Sequence, residues 1–235
     1  MLSLKQAAKI FDVTETKLIE WITQDNLPAE LVGGQYHVHQ AELLEWAAVR
    51  RQPFKPAIYL KVNGGLNPSA THLADALEIG GVRHDVGGAD LREVLGNVLD
   101  GLPIPESLGA DALRELMLMR EEVGSTAIGG GIAIPHPRRP IILTIDVPVV
   151  RLCYLNRPLD FKSLDGRPVD KLFLMLCPTA HDHLQLLARL GAVLRVEAVL
   201  VALNEKAGTE RIVEAVREAG AQFDTRPSDT GKASS

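Results

Sequence analysis

The 235 residues suffice for one large domain or two small ones. A hydrophobic fraction of 46% with 23% charged residues marks a globular chain, and a net charge of −5 excludes a surface that is basic overall and built to neutralise phosphates. Two cysteines, Cys153 and Cys177, both inside apolar runs, are too few for a disulfide framework and fit reduced thiols in a cytoplasm. The start, MLSLKQAAKI, lacks the apolar core of a signal peptide, and no apolar run approaches the ~20 residues that cross a bilayer, so a cytoplasmic protein without membrane insertion is expected.

Residues 1–51 read as a small unit. Ser3 and Gln6 form a capping-box pair opening a helix, LKQAAKIF, and a break at DVT leads to a second, TETKLIEWITQDN. ELVGGQYHVH predicts strand–turn–strand about Gly33-Gly34, and AELLEWAAVRR a third helix, with Trp21 and Trp46 as core. The proline-bearing RRQPFKPA marks a linker at 52–58.

A larger unit is expected over 59–223. Asp90 caps a helix with Leu91, Val94, Leu95, Val98, Leu99 and Leu102 at helical spacing. A second, from about Asp111 to Val123, carries Leu113, Leu116 and Met117 on one stripe and stops at Gly124. Strands are predicted at Ile141–Ile145, at Val149–Leu155 and at Leu172–Cys177, the last so uniformly apolar that it is expected to be central and covered on both faces. Helices follow at HLQLLARLGAVL, around Val196–Leu203, and at TERIVEAVREA. Strands interleaved with helices predict an α/β layered fold, and the polar residues 224–235 a disordered tail.

The chemistry gathers around STAIGGGIAIPHPRRP, where His136 stands between Pro135 and Pro137 on a backbone biased to be stiff and extended. A neutral imidazole suits reversible acceptance of a phosphoryl group, a reaction that asks the protein chiefly for positioning and charge stabilisation. Arg120 falls on the apolar stripe of its helix, where a guanidinium needs an anionic partner: a phosphate, or a structural ion pair with Glu121, Glu122 or a more distant carboxylate. His183 follows the strand LFLMLC at a helix start, a place where α/β sheets bind anions; capping or a surface role is its alternative. His181 and His183 without further ligands are a weak metal signal, and neither metal nor cofactor is called for. Gly129, Gly130 and Gly131 would let amides approach an anion closely, or simply make a turn; no Walker pattern follows them. Ser125 and the cationic Arg138 beside this stretch join Gly130 and Gly131 as candidate phosphate-binding residues.

REEVGSTAIGGGIAIPH closely resembles the active-site segment of phosphotransferase-system enzyme IIA domains of the fructose–mannitol and nitrogen-regulatory type. RPLDFKSLDGRPVDKLFLMLCPTAHDHLQLLARL resembles the same family's second signature. The likeness covers about residues 58–223. It implies a mixed β-sheet flanked by helices, with His136 as phosphoryl acceptor and Arg120 and His183 as active-site partners. It also implies a phosphohistidine carrier protein as donor. The stiff, basic Pro137-Arg138-Arg139 departs from many members.

The N-terminal unit resembles the small winged helix–turn–helix domains of the excisionase and MerR type. Its candidate recognition helix, however, carries Lys17 against Glu15, Glu20 and Asp25, and residues 1–51 hold five basic side chains against seven acids. DNA binding and protein docking are both open to it. The leading reading is thus a regulatory, phosphoryl-accepting component modified on His136, with transport by this chain alone excluded for lack of a permease-like segment. A DNA-binding transcriptional regulator that senses phosphorylation through its IIA-like domain is the alternative.

Overall fold

The computed structural model describes residues 1–50, 52–55, 72–137 and 145–224. Arg138, residues 56–58 of the expected linker, all but the last residue of the strand expected at 141–145, and the tail beyond Asp224 lie outside them.

The small unit forms as its local signals dictate. Strand β1 (Leu2–Ser3) leads into helix α1 (Leu4–Phe11), and Ser3 and Gln6 close a reciprocal capping box. Helix α2 (Glu15–Gln24) is capped by the Thr14 hydroxyl, which accepts from the Lys17 amide at 3.2 Å. Strands β2 (Glu30–Val32) and β3 (Gln35–Val38) make the wing, turning through Gly33 and Gly34 at φ 59° and 79°, values that suit glycine. Helix α3 (Gln40–Val49) completes the unit, and β1 pairs with β3 to give a sheet ordered β1-β3-β2. Trp21 and Trp46 are core as expected, their rings 4.9 Å apart, with Phe11 meeting Trp21 edge-on at 5.4 Å. Residues 52–55 stay on this unit: the Lys55 amide donates to the Ile10 carbonyl, and Phe54 packs towards Phe11.

The larger unit begins with α4 (Leu73–Gly80), β4 (Val82–Val86), α5 (Leu91–Leu99) and α6 (Ala110–Val123). Then come β5 (Ala127–Gly129), β6 (Ile132–Ala133), β7 (Val149–Leu159) and β8 (Val169–Leu176). Three helices close the described chain: α7 (Ala180–Val193), α8 (Glu197–Asn204) and α9 (Thr209–Asp224). Asp90 caps α5 as expected, accepting from the Glu93 amide at 2.9 Å. On α6, Leu113 and Met117 are buried, whereas Leu116, expected on the same stripe, is exposed.

The sheet is ordered β4-β7-β8-β6-β5 and is mixed, with β4/β7 and β6/β8 parallel and β7/β8 and β5/β6 antiparallel. Strand β8 is therefore central, which explains its unbroken apolar run. Successive residues serve opposite cores: Phe173, Met175 and Cys177 face one hydrophobic cluster, and Leu172, Leu174 and Leu176 the other. Helices α5 and α6 cover the second face. Helices α4, α7, α8 and α9 cover the first, and its core continues without a break into the small unit through Leu43, Leu44, Trp46 and Ala47 of α3. Helix α3 packs against α7 and β5, and Phe54 lies against the α7 backbone at Gly191.

Packing between α4 and β7 generates a test. A methyl group on Gly80 would lie 2.1 Å from the Val150 carbonyl oxygen, so Gly80→Ala must push the helix off the strand. It should cost several kcal/mol, beyond the ~1–3 kcal/mol usual for overpacking. Gly220, inside α9, has open space at the same position, and Gly220→Ala should gain about 0.5–1 kcal/mol. Urea unfolding of both variants beside the parent checks the pair.

Candidate functional site

Two loops bring the two histidines together. His136 follows β6 and His183 lies in the first turn of α7 after β8, so both stand beyond the carboxyl ends of adjacent parallel strands. Their ring centroids are 5.6 Å apart. Thr179 caps α7, its hydroxyl accepting from the Asp182 amide at 3.1 Å, and so fixes the turn that carries His183. The His136 Nδ1–H donates to the carbonyl of Ile134 at 2.6 Å, across Pro135. That bond orients the ring and directs Nε2 outward from the loop.

Arg120 arrives from the last turn of α6. One guanidinium nitrogen donates to the Gly124 carbonyl at 2.7 Å, immediately after the helix. The next residue, Glu121, accepts from both the amide and the hydroxyl of buried Thr126, clamping the helix end to the start of β5. Glu121 is thus spent on the hairpin rather than on Arg120, whose partner is the distant carboxylate.

That carboxylate belongs to Glu45 of α3. One oxygen accepts from Arg120 Nη2 at 2.5 Å and the other from His136 Nε2 at 2.7 Å. Burial alone would raise the Glu45 carboxyl, but the hydrogen bond and charge of His136, followed by Arg120, outweigh it and hold the group at about 2. Burial foremost, and then His136, push His183 down to about 4 against the opposing pull of Glu45, so its imidazole is neutral near pH 7. His136 is 3% exposed and His183 5%. An acceptor histidine would be expected to face solvent; here the cover over its ring is the carboxylate of α3.

The remaining candidates divide. Ser125 lines a cleft of about 280 Å³ together with Glu45, Arg120, Gly124 and Trp46. Gly129, Gly130 and Gly131 all have positive φ and form the β5–β6 turn. The Gly130 amide donates to Asp165 at 2.8 Å, and the Gly131 carbonyl accepts from Asp170 and Lys171. The bonds at the Gly130 amide and the Gly131 carbonyl tie the hairpin to the segment around Asp165 and Asp170. His181 is bonded to Gln185 rather than paired with His183, and among the described residues no three metal-ligating side chains converge.

Glu45 was missed in the sequence. Its only signal is an acid set within LLEWAA, between buried Leu44 and Trp46.

Comparison with known proteins fits this geometry. The profile of the family "phosphoenolpyruvate-dependent sugar phosphotransferase system, EIIA 2" matches residues 82–219, more than half of the chain. The chain belongs to this EIIA 2 family. A helix-turn-helix domain profile matches residues 1–51, where the winged unit lies. Among curated relatives, a nitrogen regulatory protein of Bradyrhizobium diazoefficiens is 41% identical over 103 residues, 43% of this chain and 65% of that protein, just under two thirds of its length. One from Pseudomonas aeruginosa is 39% identical over 47% of this chain and 71% of its own. A third, from Klebsiella oxytoca, is 30% identical over 66% of this chain and 95% of its own. Among the described residues no helix is long and apolar enough to cross a membrane.

The His183 environment predicts an acid-labile fold. A folded-state value of about 4 against an unfolded value of 6.5 means that the unfolded chain takes up the proton first. The stability this group contributes is present above pH 6.5 and is lost as pH falls towards 4, on the order of 3 kcal/mol in all. Measured at pH 7.5, 6 and 5, the unfolding free energy should fall more steeply for the parent than for His183→Gln.

Proposed function

We propose that His136 accepts a phosphoryl group on Nε2 from the phosphohistidine of a carrier protein. The modified chain then acts as a regulatory EIIA component rather than as part of a transporter. The observation that carries this reading is the pairing at Glu45: with Nδ1 donated to Ile134, Nε2 is the ring nitrogen left for chemistry, and Nε2 and Arg120 already grip the two oxygens of one anion between them. An incoming phosphoryl group would meet the same pair.

In the proposed step, the Nε2 lone pair forms the new bond to phosphorus. The donor's phosphorus–nitrogen bond breaks with its electrons going to the departing ring, which takes up a proton from solvent, and Nδ1 keeps its own proton on Ile134. Arg120 holds the phosphoryl oxygens. His183, neutral near pH 7, adds a hydrogen bond without a competing charge. Ser125 in the cleft, and Arg138 close to the histidine in sequence, complete the proposed oxygen-binding set. The names of the nitrogen regulatory relatives support a regulatory output.

Incubation with the phosphorylated carrier should give an acid-labile, base-stable adduct on the parent and none on His136→Ala. Arg120→Ala should slow labelling by roughly 10²-fold, the usual cost of removing one charge-stabilising donor. Undiminished label on His136→Ala would overturn the assignment.

A second reading, a DNA-binding regulator, is favoured by the helix-turn-helix match and the wing on β2 and β3. Against it, Lys17 is spent on Glu20 at 2.7 Å, and Leu31 and Val32 of the wing are exposed, so phosphate-contacting charge is scarce. Gel-shift with genomic fragments at low salt decides: no bound fragment there removes the reading.

A further inference from the structure

We infer that the EIIA active site doubles as the docking site of the chain's own winged domain, with Glu45 of α3 occupying the place of the phosphoryl group, so that docking and phosphorylation of His136 exclude each other. The inference rests on the phosphoryl-acceptor reading above and extends it to how the site is controlled.

Three consequences of the α3 contact carry it. The first is electrostatic mimicry: a carboxylate from the other domain bridges Arg120 and His136 Nε2 at 2.5 and 2.7 Å, the two groups an anionic phosphoryl would need. The second is access. With α3 in place the His136 ring is 3% exposed, and a donor imidazole has no line of approach to Nε2. The third is the state of the nucleophile. Both ring nitrogens face acceptors, the Ile134 carbonyl at Nδ1 and the Glu45 carboxylate at Nε2. A ring that donates from both nitrogens has a proton where its attacking lone pair must be. Glu45 therefore disarms the histidine as well as covering it.

Opening reverses each of these. Glu45 withdraws, and the Nε2 edge of the ring is freed of its acceptor and uncovered. Once phosphorus is bonded to Nε2, Glu45 cannot return, because its carboxylate would meet phosphoryl oxygens of like charge on the same guanidinium. The phosphorylated chain thus holds its winged domain undocked, with the α3 face that packs on α7 and β5 uncovered. Phosphorylation is read out as the release of a domain.

The test uses the full chain and a phosphorylated carrier protein. Initial rates of labelling are compared for the parent, Glu45→Gln, which keeps the shape and loses the charge, and Glu45→Ala. Glu45→Ala is expected to label faster by on the order of ten-fold or more, with Glu45→Gln between it and the parent. Hydrogen–deuterium exchange of the α3 amides on the parent, before and after labelling, is expected to rise. Equal labelling rates, or α3 exchange unchanged by phosphorylation, overturn the docking switch and leave the acceptor reading standing. No label on any of the three chains overturns the acceptor reading and the switch with it.

Discussion

A guanidinium, an imidazole and a carboxylate, drawn from three distant stretches of the chain, meet in a place that is almost dry. Arg120 comes from the end of α6, His136 from the loop after β6, and Glu45 from a helix of another domain. The guanidinium could not stay 11% exposed without an anion, and Glu45 supplies it while also accepting from the imidazole. The same demand that suits the pair to the proposed phosphoryl group makes it a ligand for any carboxylate that geometry can deliver. The arrangement of the two domains follows from that demand as much as from the apolar contacts around it.

The sheet supplies the stage. With β8 central and buried on both faces, the strand ends at His136 and His183 are fixed by two cores at once. The site's precision is borrowed from packing, and its loops need little internal rigidity beyond the Ile134 bond and the Thr179 cap. Glu121 on Thr126 performs the same service for Arg120, one residue from the chemistry and without touching it.

Much of this was legible in the sequence because its causes are local. The capping box at Ser3, the Asp90 cap, the glycine turn of the wing and the double-sided β8 each follow from spacing within a few residues. Strand β4 escaped notice because it is an edge strand, its VRHDV offering no clean alternation. Strand β5 escaped because it is so short, and β7 runs on past Leu155 only by way of an irregularity in register that admits Pro158. Arg120, His136 and His183 could be named from their settings, and the need of Arg120 for an anion was readable. That the anion sits 75 residues away was not, since no local pattern encodes a contact between domains. At the triple glycine the sequence left both readings open, since positive φ serves a hairpin and an anion cradle equally; the turn forms, and the Gly130 amide is bonded to Asp165.

The hydrophobic core that runs unbroken from the sheet into α3 has a thermal consequence. Parting the two domains wets hydrocarbon, so the separation carries a positive heat-capacity change, and its balance bends with temperature. The hydrocarbon share of the grip slackens in the cold, while the carboxylate's hold on Arg120 and His136 does not depend on that term. On the proposed gating, the contact between the domains is also a crude thermometer, closing more firmly as its surroundings warm towards the middle of its stability range.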